Sequence, residues 1–125
     1  MASADEETLR FIGASFTSIW ALELLLLIKR MGGACTRQEL INRLSASELV
    51  VSRELDSLVA AGLVSEQADT AIYQPVSRSV AASVEKTEEL YRRRPDAVRR
   101  TIISARSVAA RAFSDAFRLR KGGDD

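Results

Sequence analysis

Ser45-Ala-Ser-Glu-Leu-Val-Val-Ser-Arg-Glu-Leu-Asp-Ser-Leu-Val-Ala-Ala-Gly-Leu-Val64 is the stretch that decides how this chain is read. Ser45-Ala-Ser-Glu48 has the spacing of a capping box, so a helix begins near Glu48. It runs to Ala61, because Gly62 suits the left-handed residue just past a helix end. On a wheel of about 100° per residue, Val51, Leu55, Leu58 and Val59 share one face, which belongs against a core. Leu49, Val50, Arg53, Asp56, Ser57 and Ala60 take the opposite face, and Glu48 and Glu54 flank the core side. The outward face thus offers one base, Arg53, and one acid, Asp56.

The flanking segments extend the pattern. Thr36-Arg-Gln-Glu39 is a second capping box, opening a short helix with Leu40, Ile41 and Leu44 inward. That helix ends at Leu44, three residues of turn follow, and the next begins near Glu48, which is the connection length of a helix-turn-helix. Upstream, Ser15 or Thr17 can cap a helix to about Met31. Its apolar residues (Ile19, Trp20, Leu22 and the run Leu24–Ile28) surround it almost completely, the mark of a helix buried on several sides. Lys29 and Arg30 fall in its last turn, where the dipole favours cations, and Gly32-Gly33 ends it. Downstream, Leu63–Glu66 and Ala71–Gln74 read as short strands around a polar turn. Pro75 closes the second and opens a helix from about Val76 to Arg94, with Val80, Val84, Thr87 and Tyr91 inward. Pro95 breaks it and starts a last helix to about Arg120.

Helix, short helix, turn, helix and hairpin is the order of a winged helix-turn-helix. The exit Leu58-Val-Ala-Ala-Gly-Leu-Val64 resembles the L-x-x-x-G-L-V passage from recognition helix to wing in regulators of the MarR and ArsR kind. The resemblance covers residues 17–75. It implies a transcriptional regulator of bacterial type that binds double-stranded DNA, with helix 48–61 in the major groove. Arg53 would then read a guanine edge, Val50 would meet a thymine methyl, and Ser47, Ser52 and Ser57 would reach the backbone. Arg37 would meet a phosphate, and Arg78 is the first base past the wing. The wing departs from the family pattern: it offers Glu66 and Asp69 and no Arg or Lys. A second reading fits the same residues. Leu49 and Val50, exposed among acids, suit a protein-docking module that binds RNA polymerase, a sigma factor or another regulator without reading DNA.

In the last helix Val98, Ile102, Ala105, Ala109, Ala112, Ala116 and Leu119 recur at alternating spacings of four and three, a heptad seam. Phe113 lies beside it. A two-fold reader needs a dimer to span two half-sites, so these residues are expected at a homodimer interface; packing within the chain is the alternative. The expected architecture is all-α with a small β-hairpin wing: a flexible leader (1–14), a winged helix-turn-helix (15–75) and a dimerising extension of two long helices (76–121).

The totals limit the chemistry. The chain has 125 residues, no histidine and one cysteine, Cys35. That removes histidine-based catalysis, histidine-containing zinc sites and an internal disulfide. No cluster of carboxylates, Lys or Arg substitutes for them, so neither an enzyme nor a cofactor or metal is expected. No apolar run approaches the roughly twenty residues of a membrane helix, and the first residues are acidic where a signal peptide is basic; a cytoplasmic protein is expected. The net charge of +1 is split unevenly, −4 over residues 1–76 and +5 over residues 77–125.

Overall fold

A computed structural model describes residues 3–122, with side chains through Val108. The elements are α1 (Ala4–Ser15), α2 (Ile19–Arg30), β1 (Ala34–Thr36), α3 (Arg37–Leu44), α4 (Glu48–Ala60), β2 (Val64–Gln67), β3 (Thr70–Tyr73), α5 (Arg78–Arg93) and α6 (Pro95–Gly122). The described chain is therefore mostly helical, with one small antiparallel sheet in the order β1-β3-β2. That arrangement is compatible with an α-rich fold bearing a β wing. No single helix among the described residues is long and apolar enough to cross a membrane.

Helix α2 is the centre. Ser18 caps it, accepting from the Ala21 amide at 3.1 Å, in place of the expected Ser15 or Thr17. Ala21, Leu22, Leu24, Leu25, Leu26 and Ile28 are all buried, so apolar side chains leave on nearly every side as a helix enclosed by neighbours requires. Gly32 and Gly33 turn the chain at φ +86° and +91°, a region open to glycine. The chain then forms β1, a strand too short to stand out from its sequence. Its Cys35 is buried and pairs in register with Ala71 of β3. The β2–β3 hairpin turns at Ala68-Asp69, and Glu66 sits opposite Ala71.

Thr36 caps α3 through the Glu39 amide. Ser47 caps α4 through the Val50 amide, while Ser45 takes the left-handed conformation at φ +51° in the turn between the two helices. Val51, Leu55 and Leu58 of α4 are buried, as its wheel requires; Val59 is not, being 42 % exposed. The helix ends one residue later, and beyond the Gly62 turn Leu63 and Val64 are buried instead.

The leader is a correction. Residues expected to be flexible form α1, capped by Ser3 through the Glu6 amide, with Thr8, Ile12 and Phe16 buried. Those three repeat every fourth residue, which puts one stripe of α1 against α5 and α6. On α5, Val84, Thr87 and Leu90 form the buried stripe, with Val80 and Tyr91 only half-buried.

Helix α6 supplies the second correction. Val98 and Ile102, expected to face a second copy, are fully buried within the chain. Ala105 meets α1: a Cβ added to Gly13 would stand 3.4 Å from the Ala105 Cβ and 3.5 Å from Thr101 Cγ2. The first half of the heptad seam is therefore buried within the chain, where α6 packs against α1 and α5. Ala109, Ala112, Phe113 and Ala116, the rest of that expected interface, lie outside the residues whose side chains are described.

Candidate nucleic-acid interface

The α3–α4 pair with the β2–β3 hairpin beside it collects most of the residues singled out from the sequence. On the outward face of α4, Leu49 is 73 % exposed. The Arg53 side chain is 66 % exposed and Asp56 is open to solvent. Val50 is half-buried, in a small recess shared with Trp20, Leu24 and Leu44.

Arg37 does not stand free for a phosphate. Its Nε and Nη2 donate to Glu66 Oε2 at 3.2 and 2.8 Å, and its Nη1 donates to Ser52 Oγ at 2.6 Å. Its backbone amide donates to the Asp69 carbonyl at 3.0 Å. One residue at the head of α3 thus ties together α4 and the hairpin. The wing acid that looked unsuited to DNA from the sequence is the partner of the arginine expected to bind it. Ser52, expected at the backbone, is the acceptor in the same clamp.

Arg53 is positioned from the other side. Glu54, only 5 % exposed, lies 3.5 Å from Arg53 Nε through Oε1 and accepts from Thr17 Oγ1 at 3.3 Å through Oε2. The Thr17 hydroxyl is also 3.0 Å from Ser57 Oγ. A carboxylate this buried needs donors, and the loop before α2 supplies one. Ser47 and Ser57 are thus engaged internally, as cap and as bridge. Arg78, the first residue of α5, is exposed and joins neither group among the described residues.

The clamp and the Glu54 bridge were not foreseen. Their partners lie 15, 29 and 37 residues apart, and nothing local in a sequence marks such pairs. Only the polar residues on a hairpin face and a glutamate at the edge of a core stripe hinted at them.

Cys35 is a free, buried cysteine on β1. Burial pushes its thiol up, and Glu39 adds to the shift. Its Sγ lies 3.5 Å from Met31 Sδ and 3.9 Å from Glu39 Oε2. No protein-family model matches the chain, and no curated protein or solved structure matches it either.

Proposed function

We propose that the chain is a winged helix-turn-helix protein that binds double-stranded DNA and regulates transcription in the cytoplasm. In this reading α3 and α4 are the helix-turn-helix, β2 and β3 are the wing, and α4 enters the major groove with Arg53 as its principal base reader. The supporting observation is the seating of α4. Val51, Leu55 and Leu58 are buried, so Leu49, Arg53, Asp56 and Ala60 stand outward directly after a three-residue turn from α3. The reading includes a homodimer, with the part of the α6 seam beyond Ala105 as its contact, and calls for no catalysis, cofactor or metal. The test is binding to a genomic duplex library at about 50–100 mM salt. A shared two-fold motif that Arg53→Ala loses supports the reading; losing one bidentate base contact costs about 1–3 kcal/mol. Binding with no sequence preference overturns it.

A second reading has its own support. Leu49 is prominently exposed, and Arg37 is already neutralised by Glu66. The surface around α4 then suits a basic protein partner such as RNA polymerase, a sigma factor or a DNA-bound regulator. Binding to purified polymerase that survives Arg53→Ala and is lost in Leu49→Asp would favour it.

A further inference from the structure

Arg37 and Arg53, the bases at and beside α4, are each paired with a carboxylate of the chain, but two bases of a second surface are not. Helices α1 and α6 run side by side, close enough at Gly13 for the contact with Ala105 described above. Beside that contact lies an open groove of about 630 Å³. Its walls carry Arg10 from α1, Arg94 from the junction between α5 and α6, and Arg100 from α6, and small residues, Gly13, Ala97 and Ala105, line the space between. No carboxylate among the described residues lines it. Asp5 reaches Arg94 at 3.4 Å but bonds chiefly to Arg93. Arg10 and Arg100 are exposed, and neither has an ion pair among the described residues.

The groove adjoins the candidate interface. A neighbouring cavity of about 590 Å³ shares Gly13 and Ala105 with it and is lined further by Arg53 and Ser57 of α4 and by Arg106 of α6. Glu54 and Asp56 also line that cavity, Glu54 lying beside Arg53. A line of guanidinium groups thus leads from Arg53 past Arg106 to Arg10 and Arg100. Arg94 immediately precedes α6, and from Pro95 to Arg106 that helix rises about 16 Å. That reach matches several successive phosphates of one DNA strand, which rise about 3.4 Å per nucleotide.

We propose that the α1–α6 groove holds the sugar–phosphate backbone of duplex DNA beside the segment read by α4. The proposal rests on the reading of α4 as a DNA-binding helix, and it adds a contact that carries no sequence information. Phosphate contacts of this kind fix register and dominate the salt dependence of binding.

The experiment is a salt titration of DNA binding by the full chain, wild type against Arg10→Ala/Arg100→Ala. Lys86→Ala/Arg92→Ala, on α5, is the charge-matched control. Each lost phosphate contact lowers the slope of log K against log salt by about 0.9, so the groove variant should lose about 1.8 and the control almost nothing. Weakening should be uniform across sequences, leaving the preferred motif intact. Arg10→Lys/Arg100→Lys should restore most of the slope, which a structural role for the guanidiniums would not predict. Equal slope losses in groove variant and control would mean a diffuse field, and would overturn the proposal. So would an unchanged slope with the motif retained, while leaving the reading of α4 intact. Duplex binding without any motif, but with the slope loss confined to the groove variant, would keep the groove and remove α4 as a reader. Absence of DNA binding in the wild type removes both.

Discussion

The Arg37 clamp makes a quantitative prediction. Arg37 and Glu66 side chains are 30 % and 20 % exposed, so the pair lies between a surface ion pair and a buried one. Surface pairs contribute about 0.2–1 kcal/mol, and breaking a buried pair costs about 3–5. Two charge-assisted hydrogen bonds to one carboxylate oxygen place this pair at about 1–2 kcal/mol of coupling. Arg37→Ala should cost more than Glu66→Ala. It removes the bond to Ser52 as well and leaves a half-buried carboxylate without its donor, about 2–3 kcal/mol in all. Glu66→Ala leaves an arginine that still donates to Ser52 and can extend into water. For a chain of 125 residues, the loss in Arg37→Ala corresponds to a fall in Tm of roughly 6–12 °C. The assay is urea denaturation of the wild type, both single variants and the double variant, read as a double-mutant cycle. Coupling below about 0.3 kcal/mol, the noise of additive sites, would refute the clamp and return Arg37 to the pool of phosphate-binding residues. If the clamp holds, Glu66→Gln should tighten DNA binding, because it frees a guanidinium beside α4.

Four further outcomes are expected. Gly62→Ala should destabilise by about 1–2 kcal/mol or more: φ is +77° there, and the new Cβ would stand 2.7 Å from Val76 Cγ1. Gly13→Ala, measured beside it in thermal melts, should be neutral or stabilising, since its Cβ finds ordinary contacts and helix propensity improves. Ile102→Ala should cost about 2–5 kcal/mol at every protein concentration; a loss that appears only as weaker self-association would mean that α6 is not seated on its own chain. The Lys29 ammonium, hydrogen-bonded to Glu88, holds that carboxyl below its ordinary value of 4.5, with Arg30 adding to the effect. The linked stability is therefore present above pH 4.5 and is lost as pH falls through the lower folded value. Glu88→Gln should flatten that part of the acid limb in a pH series of urea midpoints, and an unchanged limb would count against the pairing.

The helical framework was legible because it depends on short-range signals. The Thr36 box, the glycine stops, the apolar belt of α2 and the buried triad of α4 are all set within one or two helical turns. The leader was misjudged although its signal is of the same kind. Ser3-Ala-Asp-Glu6 is a capping sequence, and Thr8, Ile12 and Phe16 follow at helical spacing. Its three acids, Asp5, Glu6 and Glu7, mask the stripe in the sequence. Without α1 as a helix, the seam of α6 lacks a partner within the chain and reads as a contact between two copies. The candidate interface was legible in its outline and not in its wiring. The wheel placed Arg53 outward from the positions of Val51, Leu55 and Leu58 alone. No periodicity could show that Glu66 would meet Arg37, since that depends on how the hairpin folds back over the head of α3.

The grip of α1 on α5 and α6 bears on how the chain comes together. Asp5 bonds to Arg93 across 88 residues of sequence, whereas the α3–α4 turn and the hairpin are made by near neighbours. Closing a loop of that length costs about 4 kcal/mol of chain entropy, which local pairings do not meet. The segment from α2 to β3 should therefore form early, and α1 should dock last. In hydrogen exchange the amides of α1 should open at lower free energy than those of α2, as a separate cooperative unit. Its release would open the contact of Gly13 with Ala105 and Thr101, and so present in a short-lived state a part of the α6 seam that the folded chain keeps closed.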